Sequence, residues 1–591
     1  TLIYMRGIGT DSFVPSADPS IATYLDGIYI PTGHSQANSL GNVTRVEVLK
    51  GPQGTLFGRN STGGAISIIT EDPGQVAKTA METSFSEDKN GRQNAAIKAG
   101  TTLPMTDWLS TEVSGLYSNG EGLYNNSNYR VPVEVFKAAR LKIGLQPLDN
   151  LSINLTSYRS KQTGSSSVLG KNTDPSLVGR AVLIQASDDD YTANSDLFGF
   201  GDGTQTINYA VINWELPYFD VKALGSDQKT LTDFTQIDFD GSPIPIAAFD
   251  AANEYADIKT GELQFISNSQ TPFSDRFKWV AGLYYLDSTA GFDPAHLKVA
   301  PQGFSSLLDV AGLNGPLAEG LQTLAGLLPA GNTPLQSGGL QVAFSGLLGT
   351  ESESAFFQGT YYFSEQWDLT IGGRYQRERR FLTKSETRLS NLTGGGGSVS
   401  NPFDPSGSLT LLRFDLQSEK ATNFSPKAVL SWHPRDSAML YASYSAGFKS
   451  GTYNVVNIYV PPQYIEPEKV TTYEIGAKVD FFDGLLRLNG AAFYNDISKL
   501  QSSFVSLLSG GAVQFYTAGS ARTRGVEVDG IWLPMPDLNP GLAVTGNAAY
   551  VQSEYTKNLN GQGFNETTGI YENNQDYSGN KIVRAPDFSG S

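Results

Sequence analysis

From about residue 79 onward, apolar and polar residues alternate with a period of two. That is the repeat of a strand whose two faces meet different surroundings. Ala355, Phe357, Gly359, Tyr361 and Phe363 fall on one face, and Ser354, Gln358 and Thr360 on the other. After Ser364-Glu365-Gln366 the pattern resumes at Leu369, Ile371, Gly373 and Tyr375. Ala428, Leu430 and Trp432 lead into His433-Pro434-Arg435-Asp436, and Met439, Tyr441 and Ser443 follow. Tyr473, Ile475, Ala477, Val479 and Phe481 precede Phe482-Asp483-Gly484, with Leu486, Leu488, Gly490, Ala492 and Tyr494 beyond it. Each run is about 8–12 residues long, the length a tilted strand needs to cross a bilayer.

The connections alternate as well. Short turns are expected near 104–107, 146–149, 271–276, 364–366, 433–436 and 482–484. Long polar loops are expected near 118–134, 161–202, 222–255, 287–349, 384–409, 448–469 and 553–586. Short turns at one end and long loops at the other are the arrangement of an outer-membrane barrel, and a soluble sandwich gives no reason for it. Trp108, Trp214, Trp279, Trp367, Trp432 and Trp532 all sit toward the short-turn side, as an interfacial girdle would. The count is about 17 strands between 79 and 557, with an eighteenth beginning at Asp587. An open strand edge is not viable in lipid, so the unclosed count leads to the expectation of a cut at the C-terminus, and Thr1, inside a continuing strand Leu2–Met5, to that of a cut at the N-terminus. Within the loop 287–349, Leu317, Leu321, Leu324 and Leu328 follow Pro316 at helical spacing and predict a short amphipathic helix packed on its own loop.

Composition narrows the function classes. Charged residues make up 17% of the 591, against about 25% in a typical soluble domain. The net charge of −17 leaves no basic stripe for nucleic acid. Cysteine is absent, which excludes disulfides, thiol catalysis and thiolate-held metals. His34, His296 and His433 show no metal-ligand spacing. No apolar run reaches the length of a transmembrane helix, which leaves a β-barrel as the route into a membrane.

One segment departs from the alternation. In Arg45–Asp72, two β-type runs, Val46–Leu49 and Ala65–Ile69, bracket Gly51, Gly54, Gly58, Gly63 and Gly64. Such density marks a compact, sharply turning unit. A phosphate loop is excluded, because there is no Gly-Lys-Ser/Thr, no Gly-x-Gly-x-x-Gly, and a strand follows where a helix should.

This strand, glycine-rich turn and strand resemble the plug domain of TonB-dependent outer-membrane receptors. So do Ile3-Tyr4-Met5-Arg6-Gly7-Ile8-Gly9 and Tyr24-Leu25-Asp26-Gly27-Ile28-Tyr29. In the barrel the resemblance is carried by Ala446–Gly451, by Glu466–Lys469 leading to Tyr473–Gly476, and by Arg522–Glu527. The flavour is that of iron-complex receptors. The resemblance implies an all-β membrane protein: a large antiparallel transmembrane barrel of the 22-stranded type with an N-terminal α+β plug in its lumen. The expected division is 1–75 plug and 76–591 barrel. The implied function is energised uptake of a scarce substrate, by default a ferric siderophore or other iron complex, across the outer membrane of a Gram-negative bacterium. TonB would be the partner, acting through an N-terminal box that precedes Thr1, and outer-membrane lipid would surround the wall. A passive pore and a soluble carbohydrate-active β-protein are the alternatives. No cofactor and no enzymatic activity are expected.

Alternation makes a prediction about the lock between plug and barrel. Tyr473 and Ile475 read as lipid-facing, so Glu474 points inward; Val526 and Val528 do the same for Glu527. Buried carboxylates need partners, and the plug offers Arg6 and Lys50. In the family, matching positions form an Arg/Lys–Glu cluster that seats the plug. The bland alternative is charges solvated in a wet lumen. Lys50 lacks the bidentate fork of Arg, so its half of the lock is expected to be looser. By family analogy the loops Thr10–Pro19 and Ile30–Ser39 rise toward the exterior. Tyr29, His34, Gln36, Phe448 and Tyr453 are then the candidates to touch substrate. Gly7, Gly27, Gly51, Gly54, Gly58, Gly63 and Gly64 are expected to serve compact folding of the plug.

Overall fold

The computed structural model describes residues 3–10, 14, 16–31, 42–88, 91–121, 125–126, 133–165, 192–193, 197, 199–238, 247–299, 340–391, 409–455, 461–506, 512–539, 541–559, 561–564 and 571–591. His34, Gln36 and the helix expected over 317–328 lie outside the described residues.

Among the described residues, seventeen strands of ten residues or more run from Lys78–Glu87 to Val544–Lys557. They follow one another around a ring in chain order, each antiparallel to the next. The ring has a thin seam. Its last strand, Phe588–Gly590, is three residues long and pairs with Ala548–Tyr550, and its first, Lys78–Glu87, is exposed at all ten positions. Outside and inside are inverted relative to a soluble protein. Leu283, Phe357, Ile371, Tyr473 and Ile475 are exposed, whereas Glu112, Thr350, Ser352, Gln376, Asn495 and Thr523 are buried. Lipid is the solvent of the outer face, and the plug fills the inner one. Five of the tryptophans are exposed at the short-turn end, and Trp367 and Trp432 stack across a strand pair at 5.7 Å.

Two expectations change. Strands run into several stretches read as loops: Phe219–Asp238, Ala247–Ser267, Phe277–Val299, Leu340–Tyr362 and Trp367–Asn391 reach 20–25 residues. About ten residues cross the lipid, and beyond it neither face is apolar, so the alternation that betrays a strand disappears. Tyr441, read with the apolar face, points inward. Leu440 faces out opposite Trp432, because a bulge between Trp432 and Arg435 resets the register.

Among the described residues, the plug is built from six short strands. β1 (Tyr4–Met5) and β2 (Ile8–Gly9) form a hairpin. β3 (Ile21–Leu25), β4 (Ile28–Ile30), β5 (Val43–Lys50) and β6 (Gly64–Thr70) make a sheet in the order β4-β3-β6-β5, with β3 and β6 parallel. Both hairpin turns, Arg6-Gly7 and Asp26-Gly27, have positive φ at their two central residues, the type I′ geometry that suits twisted strands. An α+β plug should carry a helix, but the described residues contain none. The nearest approach is a single turn closed by Phe57 N–H to Gln53 O and Gly58 N–H to Gly54 O. It cannot be padded with side chains: a Cβ at Gly54 would lie 2.9 Å from the Ala446 carbonyl, and one at Gly58 2.9 Å from Arg374. The glycines let this turn lie flat against the wall.

Candidate functional site: the ion-paired contact between plug and barrel

Arg6 sits at the tip of its I′ turn with its side chain 5% exposed. Its Nη1 lies 2.5 Å from Glu474 Oε2, and its Nη2 and Nε reach the two oxygens of Glu527. Lys50 Nζ stands 3.3 Å from Glu527 Oε2 and is 40% exposed. Tyr441 donates its hydroxyl to Glu474 at 2.6 Å, and the guanidinium stacks 4.2 Å above Phe493. Burial alone would lower the Arg6 pKa, but the two carboxylates outweigh it and hold it above the ordinary value. One buried guanidinium therefore ties the plug to two wall strands, Glu468–Phe481 and Ala512–Trp532. Lys50 makes the looser second contact.

A second fastening has the opposite polarity. Asp26, at the tip of the other I′ turn, accepts from Lys142 Nζ at 2.9 Å, Tyr209 Oη at 2.5 Å, Thr70 N–H at 2.8 Å and Thr70 Oγ1 at 2.7 Å. Burial would raise its pKa, but the Lys142 ammonium and these donors hold it below the ordinary carboxylate value. Close by, Arg140 grips Glu112 through Nε and Nη2, and Asn42 of the plug donates to Glu112 at 3.0 Å.

A third cluster lies farther along the strands. Arg59 bridges Asp18 at 2.7 Å and Glu378 at 3.2 Å, and Arg380 reaches the same two carboxylates. Phe448–Val455 folds inward over this cluster. Asn60 N–H donates to Phe448 O, Ser450 N–H to Asn60 Oδ1, Ser450 Oγ to Glu378, and Thr452 Oγ1 to the Ser16 carbonyl. Arg374 packs against Tyr284 and Phe356 and donates to the Leu56 carbonyl.

The structure thus brings Arg6, Lys50, Glu474 and Glu527 together. Tyr29 is buried, accepts a hydrogen bond from Asn60, and is pushed up to about 12 by burial. Phe448 and Tyr453 are 2% and 0% exposed, so none of these three meets open space. Gly7 abuts Ala585, Gly27 abuts Leu224 and Gly51 abuts Arg6. Gly63 abuts Ile21 and Ile8, and Gly64 abuts the Leu49 carbonyl. The sequence reading missed Asp18, Asp26, Arg59, Glu112, Arg140, Lys142, Glu378 and Arg380. The rule that found Glu474 applies to Lys142, which lies between Leu141 and Ile143, but not to Glu378, which lies between Arg377 and Arg379. No group of three potential metal ligands occurs among the described residues. Each buried charge in these clusters meets an opposite charge, which suits holding two bodies together.

Comparison with known proteins agrees with this architecture. Residues 1–65 match the TonB-dependent receptor plug domain, and residues 310–591 match the TonB-dependent receptor-like β-barrel. The pesticin receptor of Yersinia enterocolitica is 23% identical over 564 residues, covering 94% of this chain and 69% of that one. The metal-pseudopaline receptor CntO of Pseudomonas aeruginosa is 21% identical, covering 89% and 66%. Among solved structures, the ferric yersiniabactin uptake receptor FyuA of Yersinia pestis superposes with a TM-score of 0.69 at 17% identity, covering 100% and 76%. The siderophore receptor PiuA of Acinetobacter baumannii gives 0.66 at 16%, covering 99% and 80%. With a plug model at one end, a barrel model at the other and an ion-paired plug inside an antiparallel wall, the chain belongs to the TonB-dependent receptors, transport receptors of the Gram-negative outer membrane.

Proposed function

We propose that this receptor takes up a ferric siderophore or similar iron complex, driven by TonB. The observation that carries the reading is the plug itself, fastened to the wall by buried ion pairs of both polarities. A plug so held is a poor passive gate, because releasing buried charges without replacement costs several kcal/mol at each site. External work is the natural way to shift it. The siderophore and metal-chelate receptors among the relatives support the substrate class. In this reading residues 1–75 are the plug and 76–591 the barrel, with Arg6, Lys50, Glu474 and Glu527 as the lock. Tyr29, His34, Gln36, Phe448 and Tyr453 remain the substrate candidates. The buried ones among them would meet substrate only after Phe448–Val455 moves. The test is uptake of radiolabelled iron by cells carrying the full-length receptor, offered a panel of ferric siderophores, with and without TonB. TonB-dependent uptake of at least one chelate is expected. Equal uptake without TonB would establish the passive-pore reading.

A further inference from the structure

The two wall carboxylates that hold Arg6 are not equivalent. Glu474 Oε1 accepts from Tyr441, which belongs to the wall and stays with it. Glu474 Oε2 accepts from Arg6, which leaves with the plug. Glu527 is held from the plug side alone among the described residues, by Arg6 and Lys50, and its cross-strand neighbours are Ala491 and Ala549. Any shift of the plug that withdraws Arg6 therefore uncovers one oxygen of Glu474 and both of Glu527.

A wall cation stands beside Glu474 without touching it. Lys427 lies on strand Ser418–Arg435. Phe424 and Leu430 are exposed to lipid, whereas Asn423, Ser425 and Ser431 are buried, so Lys427 shares the inward face. It is partly buried. No carboxylate among the described residues lies in ion-pair contact with it, and the charge that acts on it is that of Glu474.

Register fixes the separation. Lys427 is opposite Ser445, and Ser445 is opposite Thr472, two residues above Glu474 on its strand. Two interstrand steps of about 4.8 Å and two residues of about 3.3 Å each put the two Cα atoms roughly 12 Å apart. Extended lysine and glutamate side chains together span that gap. On the strand between them the inward residues are Ser443 and Ser445, small enough to leave the path open. Lys478, inward on the strand of Glu474 itself, is cut off, because the Tyr441 ring lies over Gly476 between them. Its own level carries Asp529, two strands away across Asn489. The plug turn sits just above Lys427: Thr55 Oγ1 donates to the Ser425 carbonyl, and Gly54 abuts the Ser425 side chain.

Building on the lock and the TonB-driven shift proposed above, we propose that Lys427 is a positioning residue of transport, which takes the place of Arg6 on Glu474 when the plug moves. The carboxylate is handed from a plug cation to a wall cation. An uncompensated buried charge is what makes breaking a buried pair costly. A cation supplied by the wall stabilises the displaced state without strengthening the seated one. Glu474 is then the half of the lock that opens readily, and Glu527, with no wall cation at hand, is the half that resists.

Hydrogen exchange on the full-length receptor without TonB tests this, read at the plug amides of Gly51, Gln53 and Gly63. Lys427→Gln should slow their exchange about tenfold, since opening would now strand Glu474. Lys427→Arg should restore the wild-type rate. A lysine that merely supports the fold gives the opposite sign, faster exchange on its removal. In Arg6→Ala, Lys427 holds Glu474 whether the plug is seated or displaced, so adding Lys427→Gln there should change the rate by no more than about twofold. A crystal structure of Arg6→Ala should show Lys427 Nζ in ion-pair contact with Glu474. Unchanged or faster exchange in Lys427→Gln, or a Lys427 that stays away from Glu474 in Arg6→Ala, would overturn the proposal and leave the lock standing. Exchange in Arg6→Ala equal to the wild type would remove the lock, and the role of Lys427 with it.

Discussion

Replacing Arg6 by Ala should loosen the plug far more than replacing Lys50, although both reach Glu527. Arg6→Ala leaves Glu474 and Glu527 turned into the lumen with Tyr441 and a half-exposed Lys50 as their remaining partners. Breaking a buried pair by removing one member costs about 3–5 kcal/mol. At about 1.4 kcal/mol per factor of ten, the equilibrium for local opening should rise by roughly two to three and a half powers of ten. Lys50 makes one 3.3 Å contact and is 40% exposed, so Lys50→Ala belongs on the scale of exposed pairs, below about 1 kcal/mol or about fivefold. Hydrogen exchange on the full-length receptor reads both. The reporters are the amides of Gly51, Gln53 and Gly63, which donate to Gly63 O, Ser61 O and Ser20 O within the plug. Their protection should collapse in Arg6→Ala and persist in Lys50→Ala. If the two variants exchange alike, or if neither differs from the wild type, the buried guanidinium is not what holds this side of the plug.

Acid should release the Asp26 fastening late. The folded-state pKa of Asp26 is depressed, so its stabilisation is complete above the unfolded value of about 3.9 and is lost as pH falls through the lower folded value. Exchange of the Asp26 amide, which donates to Ile68 O, should therefore stay slow at pH 5 and accelerate only below about pH 4, whereas Asp26→Asn should exchange faster at neutral pH and show no such step. Gly64→Ala should unfold the plug sheet, because a Cβ there would lie 2.3 Å from the Leu49 carbonyl and 2.6 Å from Met5 Sδ at a φ of +155°. Gly74→Ala meets nothing within 4 Å and should be neutral; equal plug protection in the two variants would refute the packing argument.

What could be read in advance follows from which residues see lipid. Where a strand crosses the bilayer, its outer face must be apolar, and Tyr473/Ile475 and Val526/Val528 therefore reveal the inward Glu474 and Glu527. The same logic exposes Arg140 and Lys142 beside Leu141 and Ile143, and Arg374 and Gln376 on either side of exposed Tyr375, but not Glu378, which lies between Arg377 and Arg379. Their partners were not legible. That Lys142 meets Asp26, or Arg380 meets Asp18, depends on how the plug sits in the lumen, and no local pattern encodes that. Beyond the lipid the signal fails altogether, which is why the upper halves of Phe277–Val299 and Leu340–Tyr362 read as loop. Tyr441 was misassigned for a smaller reason: one bulge inverts every face that follows it.

The two I′ turns make the plug a key with a sign on each tooth. Arg6 presents a cation to wall carboxylates, and Asp26 presents a carboxylate to a wall cation on a different arc of the ring. A plug seated with those arcs exchanged would set guanidinium against Lys142 and carboxylate against Glu474 and Glu527. Each mismatch would bury like charges together, an arrangement costly enough to exclude it. The charges that fasten the plug thus also choose its angle about the barrel axis.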